Sequence, residues 1–317
     1  MNVIFFYYLL YMNKLHIVTV ATESKYYFPY LIESCKRNGA ELKVLGYGEK
    51  WEGFNWRYIK MIEYLKTLPT DNIICFVDGY DVVCCRNLNE LIPEFIKIKE
   101  RTGCKMIVGS DTSNPIQLNL GKIFFGECKN QQVNSGTYIG YVSDILEIIE
   151  KIYNLNPKND ADDQILMTKY CQKNDKEIYI DSKKELFLTL LYPLTEIDKY
   201  VEINEDTNVL TYNSNQPFFV HANGYGYLDR IISKLRYDDI KGDNIKNELF
   251  FNFLEKKVWH YFKDAFLQYY LIIFFILFII FYLFNLKNVN NQLYKFTKVI
   301  THTTRTIYLH FMNNSKH

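Results

Sequence analysis

The sequence predicts an α/β protein built on a mostly parallel, doubly wound sheet and followed by a single membrane-spanning helix. Three observations carry this expectation. From about residue 14 to 247, short apolar runs alternate with amphipathic ones, as strands do when helices cover both faces of their sheet. One of these runs, Ile73–Val77, stops abruptly at Asp78-Gly79-Tyr80-Asp81. It delivers two carboxylates to the carboxyl end of a strand, where open α/β sheets take their ligands. Finally, Ala265–Leu286 is twenty-two residues long without a charge, ~33 Å of helix against a ~30 Å hydrocarbon core.

Taken in order, Lys14–Ala21 reads as the first strand and Tyr27–Arg37 as a helix that Asn38-Gly39 stops. Glu41–Gly46 is a second strand, Trp56–Leu68 a second helix and Asn72–Val77 the strand that carries the acidic pair. Asn87–Glu100 reads as helix, Lys105–Ser110 as strand and Asp144–Leu155 as helix. Beyond about residue 175 the pattern loosens into strands and turns, until Phe218–Gly224 again sets an apolar strand before a polar end. The domain of 14–247 passes through a linker, 248–264, into the span at 265–286 and a tail at 287–317.

Composition excludes several classes. A formal net charge of +1 gives no general attraction to nucleic acid. Seven cysteines, with no CxxC pair and no Cys/His spacing suited to zinc, predict neither a disulfide framework nor a zinc module. Cys84-Cys85 read as small apolar residues of the sheet rather than a redox pair.

The span makes the chain a single-pass membrane protein, but cues to its orientation oppose each other. The tail carries Lys287, Lys295, Lys298, Arg305 and Lys316 without an acid, which favours a cytoplasmic tail. Against that, the apolar run Val3–Met12 lacks the basic flank of a signal peptide, and Met12 is an alternative start. The single Asn-x-Ser/Thr acceptor, Asn313-Asn314-Ser315, lies in the tail and argues for a cytosolic domain.

Four features join the acidic pair. Leu45–Gly53 is a glycine-rich loop holding Trp51; it meets neither the P-loop nor the dinucleotide pattern, and its Trp either stacks on a base or caps the core. Val133–Gly140 sets Asn134-Ser135-Gly136 before a strand, as a turn or as amides offered to a sugar. Asp160-Ala161-Asp162-Asp163-Gln164 opens a helix, where early acids are ordinary; capping alone leaves the doubled Asp162-Asp163 unexplained. His221 ends its strand and, with Asp78 and Asp81, makes a two-carboxylate, one-imidazole set suited to Mn²⁺ or a similar divalent ion with positions left open.

These motifs, Val18–Thr22, Val44–Gly53, Phe76–Val82, Asn134–Gly140, Asp162–Gln164 and Val220–Gly224, stand in an order that resembles the glycosyltransferase domain of the multifunctional procollagen lysyl hydroxylases and the related procollagen glycosyltransferases, over roughly residues 14–235. The resemblance implies a GT-A type fold, a UDP-sugar donor, Mn²⁺ as cofactor, and transfer of glucose or galactose to hydroxylysine or galactosyl-hydroxylysine of collagen-like protein. It implies Asp78, Asp81 and His221 as metal ligands, Trp51 and Tyr80 around the uridine, and Asp162 and Asp163 facing sugar and acceptor. Asn134 and Asn223 lie within matching motifs, and either Arg57 or Lys60 stands where a basic residue would meet the diphosphate. The chain departs from the hydroxylases in carrying no His-x-Asp iron motif, so any hydroxylysine must come from another protein. Two other classes compete: a membrane-anchored module that binds nucleotide sugar or glycan without catalysis, and a metal-dependent phosphohydrolase. The intact acidic pair argues against the first. Spacing argues against the second, which wants its two aspartates two residues apart rather than three.

Overall fold

The computed structural model describes residues 14–204, 206–237 and 245–252, together with 277, 297, 298 and 300–302. The Val3–Met12 run lies outside the described residues, as do the 265–286 span except Leu277, residues 253–264 of the linker, and the tail except 297, 298 and 300–302. Among the described residues no helix is long and apolar enough to cross a membrane. The chain divides into two compact units, Met1–Phe251 and Asn252–His317, and the fold below is that of the first.

A nine-stranded sheet forms its centre. The strands are β1 Leu15–Val20, β2 Leu42–Leu45, β3 Ile73–Val77, β4 Val82–Cys84, β5 Met106–Thr112, β6 Val133–Tyr141, β7 Ile178–Ile180, β8 Phe187–Leu190 and β11 Phe219–His221; β9 Glu202–Asn204 and β10 Val209–Thr211 pair separately. The order is β2-β1-β3-β6-β5-β8-β11-β4, with β7 beside the first half of β5. The helices are α1 Phe28–Arg37, α2 Trp56–Leu65, α3 Leu91–Thr102, α4 Pro115–Phe125, α5 Val142–Leu155, α6 Asp163–Lys173, α7 Asp229–Lys234 and α8 Ile245–Asn252.

The β1–β2, β1–β3, β5–β7, β5–β8 and β8–β11 pairs are parallel. The sheet is mostly parallel, as expected, with antiparallel pairs at two strands. β6 runs antiparallel to both β3 and β5, and β4 antiparallel to β11. β6 is reached from β5 through α4 on the strands' carboxyl side, so it returns in the opposite direction and carries Asn134–Gly136 inside a strand, not in a turn before one. Helix α4, which the pattern reading missed, opens on the Asn114 cap with Pro115 in its first turn.

Alternating strand residues feed three cores, one of them gathering Val83, Leu188, Leu190 and Val220 against α7 and α8. Val18, Phe76, Val108 and Tyr138 meet α2, α5 and α6, where Ile145, Ile148, Ile149 and Ile152 at helical spacing are fully buried, each worth about 1.5–3 kcal/mol. Ile17, Cys75, Val77, Ile107 and Ile139 meet α1 and α3 on the other face. The sheet is therefore held rigid, and its carboxyl rim becomes a fixed platform.

The expectation about cysteines is corrected at one pair. Cys128 and Cys171 form a disulfide with Cα atoms 6.0 Å apart, because the short bridge Cys128–Gln131 lies against α6. Their separation of 43 residues gave no spacing signal. Cys84 and Cys85 are buried, as small sheet residues should be.

Candidate active site

Asp78 follows β3 directly, and its N–H donates to the Gly136 carbonyl of β6 at 2.8 Å. Asp81 precedes β4, its carbonyl accepting the Ala222 N–H at 2.8 Å. His221 closes β11, registered against Val82 of β4. Antiparallel pairing of β4 with β11 thus folds the Asp-x-x-Asp turn back over the histidine. His221 Nε2 lies 3.2 Å from Asp81 Oδ1 and 3.7 Å from Asp78 Oδ2. Gly136 makes this meeting possible: a Cβ there would sit 2.5 Å from Asp78 Oδ2 and 2.6 Å from His221 Cε1.

One ligand atom from each of the three residues lies within 4.8 Å of the other two. Ligands around one ion with ~2.1 Å bonds are separated by roughly 3 to 4 Å, so the set fits a divalent cation on one side of its shell. The donor chemistry, two carboxylates and an imidazole, suits Mn²⁺ or Mg²⁺ better than a soft metal. Two further observations agree. Nδ1 of His221 is buried without a hydrogen-bond partner among the described residues, and the two carboxylates remain 23% and 24% exposed where His221 is 1%. Burial works against the imidazolium of His221, but Asp81 and then Asp78 outweigh it and hold its pKa above the usual value.

Arg57, near the start of α2, is buried between two carboxylates. One of its nitrogens donates to Asp78 and another to Asp163. Burial opposes the guanidinium's charge, yet Asp163 and Asp78 together raise its pKa. Asp163 is itself buried, which pushes its carboxyl upward, and the Asp78 charge adds to that while Arg57 counters it. Asp162 acts differently, capping α6 by accepting the Ile165 N–H at 2.9 Å. The doubled aspartate therefore divides into a cap and an ion-pair partner. Lys60, the other basic residue on α2, is not brought to this cluster; its Nζ pairs with Glu49 at 2.6 Å and Glu63 at 3.6 Å.

The glycine loop that holds Trp51 is tied to Tyr80 through Thr22. The Thr22 carbonyl accepts Gly48 N–H of the glycine loop at 2.9 Å, and its N–H donates to the Tyr80 hydroxyl at 3.0 Å. Trp51 is 38% exposed and stands edge-on to Phe54 and Trp56, so it caps the core while leaving surface free.

A second corner was missed by sequence reasoning. Asp111, in β5, accepts from Asn134 Nδ2 and Asn223 Nδ2 at 3.0 Å each through Oδ1. It therefore ties together two asparagines that the sequence singled out separately. Asn134 also turns its Oδ1 to the Gly136 N–H at 3.0 Å. Burial raises the Asp111 pKa against the pull of Asn223, His221, Asn134 and Lys184. Behind it, Lys184 Nζ donates to the Ser110 carbonyl and hydroxyl, both at 2.6 Å, with its pKa lowered by burial to about 8. The available signal was Met106–Ser110 followed by Asp111, the same apolar run ending in an acid that marked Asp78.

Comparisons with known proteins identify the family. The family model of the PLOD GT domain matches residues 11–235. A multifunctional procollagen lysine hydroxylase and glycosyltransferase of Caenorhabditis elegans is 28% identical over 228 residues, 67% of this chain and 30% of that one. A procollagen-lysine,2-oxoglutarate 5-dioxygenase of Drosophila melanogaster is 27% identical over 237 residues, 68% of this chain and 31% of its own. The human enzyme LH3, a multifunctional procollagen lysine hydroxylase and glycosyltransferase, is 26% identical over 230 residues, again 67% and 30%. The chain thus spans under a third of the length of these three relatives. With the matched residues enclosing the whole sheet and every residue of the two corners, the chain belongs to the PLOD glycosyltransferase-domain family.

Proposed function

We propose that the chain is a divalent-metal-dependent glycosyltransferase that moves a hexose, glucose or galactose, from a UDP-sugar to a hydroxyl acceptor of collagen-like protein, hydroxylysine or galactosyl-hydroxylysine. The observation that carries this reading is the convergence of Asp78, Asp81 and His221 within 4.8 Å at the rim of a glycosyltransferase-family sheet. When bound there, Mn²⁺ would neutralise the charge that grows on the diphosphate as the sugar–phosphate bond breaks.

The protein's own groups supply the rest. Asp78, Asp81 and His221 hold the cation, and Arg57 adds a fixed positive charge beside it. Trp51 and Tyr80 flank the uridine, and Asn134 and Asn223, both anchored on Asp111, orient the sugar hydroxyls. Asp163 and Asp162 face the acceptor, and if the anomeric configuration inverts one of them takes the acceptor proton. Membrane attachment through 265–286 belongs to the same proposal and would keep the domain beside a translocating or surface-bound acceptor.

The test is UDP release by the full chain in detergent, with UDP-glucose and UDP-galactose, with and without Mn²⁺ and a hydroxylysine-containing collagen peptide. Release that needs Mn²⁺ and rises with the peptide is expected. No release with any donor would turn the reading toward a non-catalytic binding module, and release without dependence on the peptide would remove the collagen-like acceptor.

A further inference from the structure

The metal-ligand set rests on a floor of buried hydroxyls with no part yet in the chemistry. Thr137 on β6 and Thr189 on β8 are both 0% exposed, and neither Oγ1 has a hydrogen-bond partner among the described residues. Both border Gly109. A Cβ on Gly109 of β5 would lie 2.2 Å from Thr137 Oγ1 and 3.2 Å from Thr189 Oγ1, so glycine at this position is what lets the two hydroxyls pack onto the same stretch of β5.

Thr189 is also the centre of a row. It is registered with Asp111 on one side and His221 on the other, both in parallel pairs. Registered residues of neighbouring strands put their side chains on the same face, about 4.8 Å apart. A hydroxyl therefore stands one strand away from an imidazole whose Nε2 faces the two carboxylates and whose Nδ1 is buried without a partner. Burying three such groups together without hydrogen bonds is unfavourable, and a polar enclosure of this kind is where proteins hold internal water. A valine of the same shape would fill the strand position without that cost.

We infer that Thr189, with Thr137, its neighbour across Gly109, is a positioning residue for His221: water held by these hydroxyls bonds Nδ1 and sets the ring with Nε2 toward Asp78 and Asp81. The arrangement gives the histidine the outer partner that metal-bound imidazoles ordinarily have. It rests on the metal-dependent reading above, and it places the control of metal affinity in a residue that touches neither metal nor donor.

The measurement is Mn²⁺ binding to the full chain in detergent without nucleotide, read from the free-Mn²⁺ paramagnetic resonance signal, together with the melting temperature of the metal-free protein. Thr189→Val should weaken Mn²⁺ about tenfold while the metal-free melting temperature holds or rises, and Thr189→Ser should stay near the wild type. Equal Mn²⁺ affinity in wild type and Thr189→Val overturns the inference and leaves the metal reading standing. A wild type that binds no Mn²⁺ overturns both. Should Thr189→Val fail to fold, Thr137→Val applies the same measurement from the other side of Gly109, where weaker binding supports the inference and unchanged binding overturns it.

Discussion

The two corners of the sheet rim are built from similar residues and finished in opposite ways. Around Asp78, Asp81 and His221, charged groups converge and the imidazole Nδ1 is left without a hydrogen-bond partner among the described residues. Around Asp111, the carboxylate takes two amide N–H groups at 3.0 Å, and the neighbouring Ser110 takes a lysine. On the proposed reading the first corner is completed by a metal ion. The second already has its carboxylate hydrogen-bonded, so under that reading it would orient a sugar without reorganising, as preorganised sites do. Arg57 bears on the first corner alone, bridging Asp78 to Asp163.

The contrast can be broken most strongly at the metal corner. Asp81→Ala removes a ligand, and Mn²⁺-dependent UDP release should fall by roughly 10³-fold or more, about 4 kcal/mol, with circular dichroism unchanged; retained turnover would reject the ligand set. Arg57→Met comes next. It strips a buried cation from two carboxylates, so the metal-free protein should lose about 3 kcal/mol. Because Asp78 is then released, added Mn²⁺ should raise the melting temperature more in the variant than in the wild type. An equal Mn²⁺ shift in the two would show that Arg57 and the metal do not compete for Asp78.

Asp111→Ala tests the other corner. It leaves the Asn134 and Asn223 amides without their acceptor, costing about 1–3 kcal/mol in urea unfolding, and it should lower turnover while leaving Mn²⁺ affinity as it was. A changed Mn²⁺ affinity would merge the two corners into one.

Lys184 gives the smallest effect. Its pKa is about 8 when folded and 10.5 ordinarily, so between those values the unfolded chain binds more protons and stability rises with pH; below pH 8 the penalty of the buried charge is fully present. From pH 7.5 to 9.5 the wild type should gain on the order of 1 kcal/mol relative to Lys184→Met. A difference that stays flat with pH would show that the lysine is solvated.

Much of this was legible in the residues. Ile73–Asp78 announced its strand and its acids because a fully buried strand needs a continuous apolar run, and α5 announced itself through isoleucines at helical spacing. What escaped depended on contacts distant in sequence. The antiparallel course of β6 is set by α4, whose Ile116, Leu120, Ile123 and Phe124 are exposed and so leave no amphipathic pattern against the core. The choice of Arg57 over Lys60 was open because both lie on α2 three residues apart, and only the fold shows that Arg57 turns to the carboxylates while Lys60 turns to Glu49. The bond between Cys128 and Cys171 depends on α6 docking beside β6, which no spacing rule reports.

The central claim, that the Asp78–Asp81–His221 corner is finished by a metal and a nucleotide diphosphate together, is tested most directly by calorimetric titration of UDP into the full chain with and without Mn²⁺. UDP should bind measurably only when Mn²⁺ is present, and Asp81→Ala should abolish that binding. Equal UDP binding in the presence of a chelator would contradict the account.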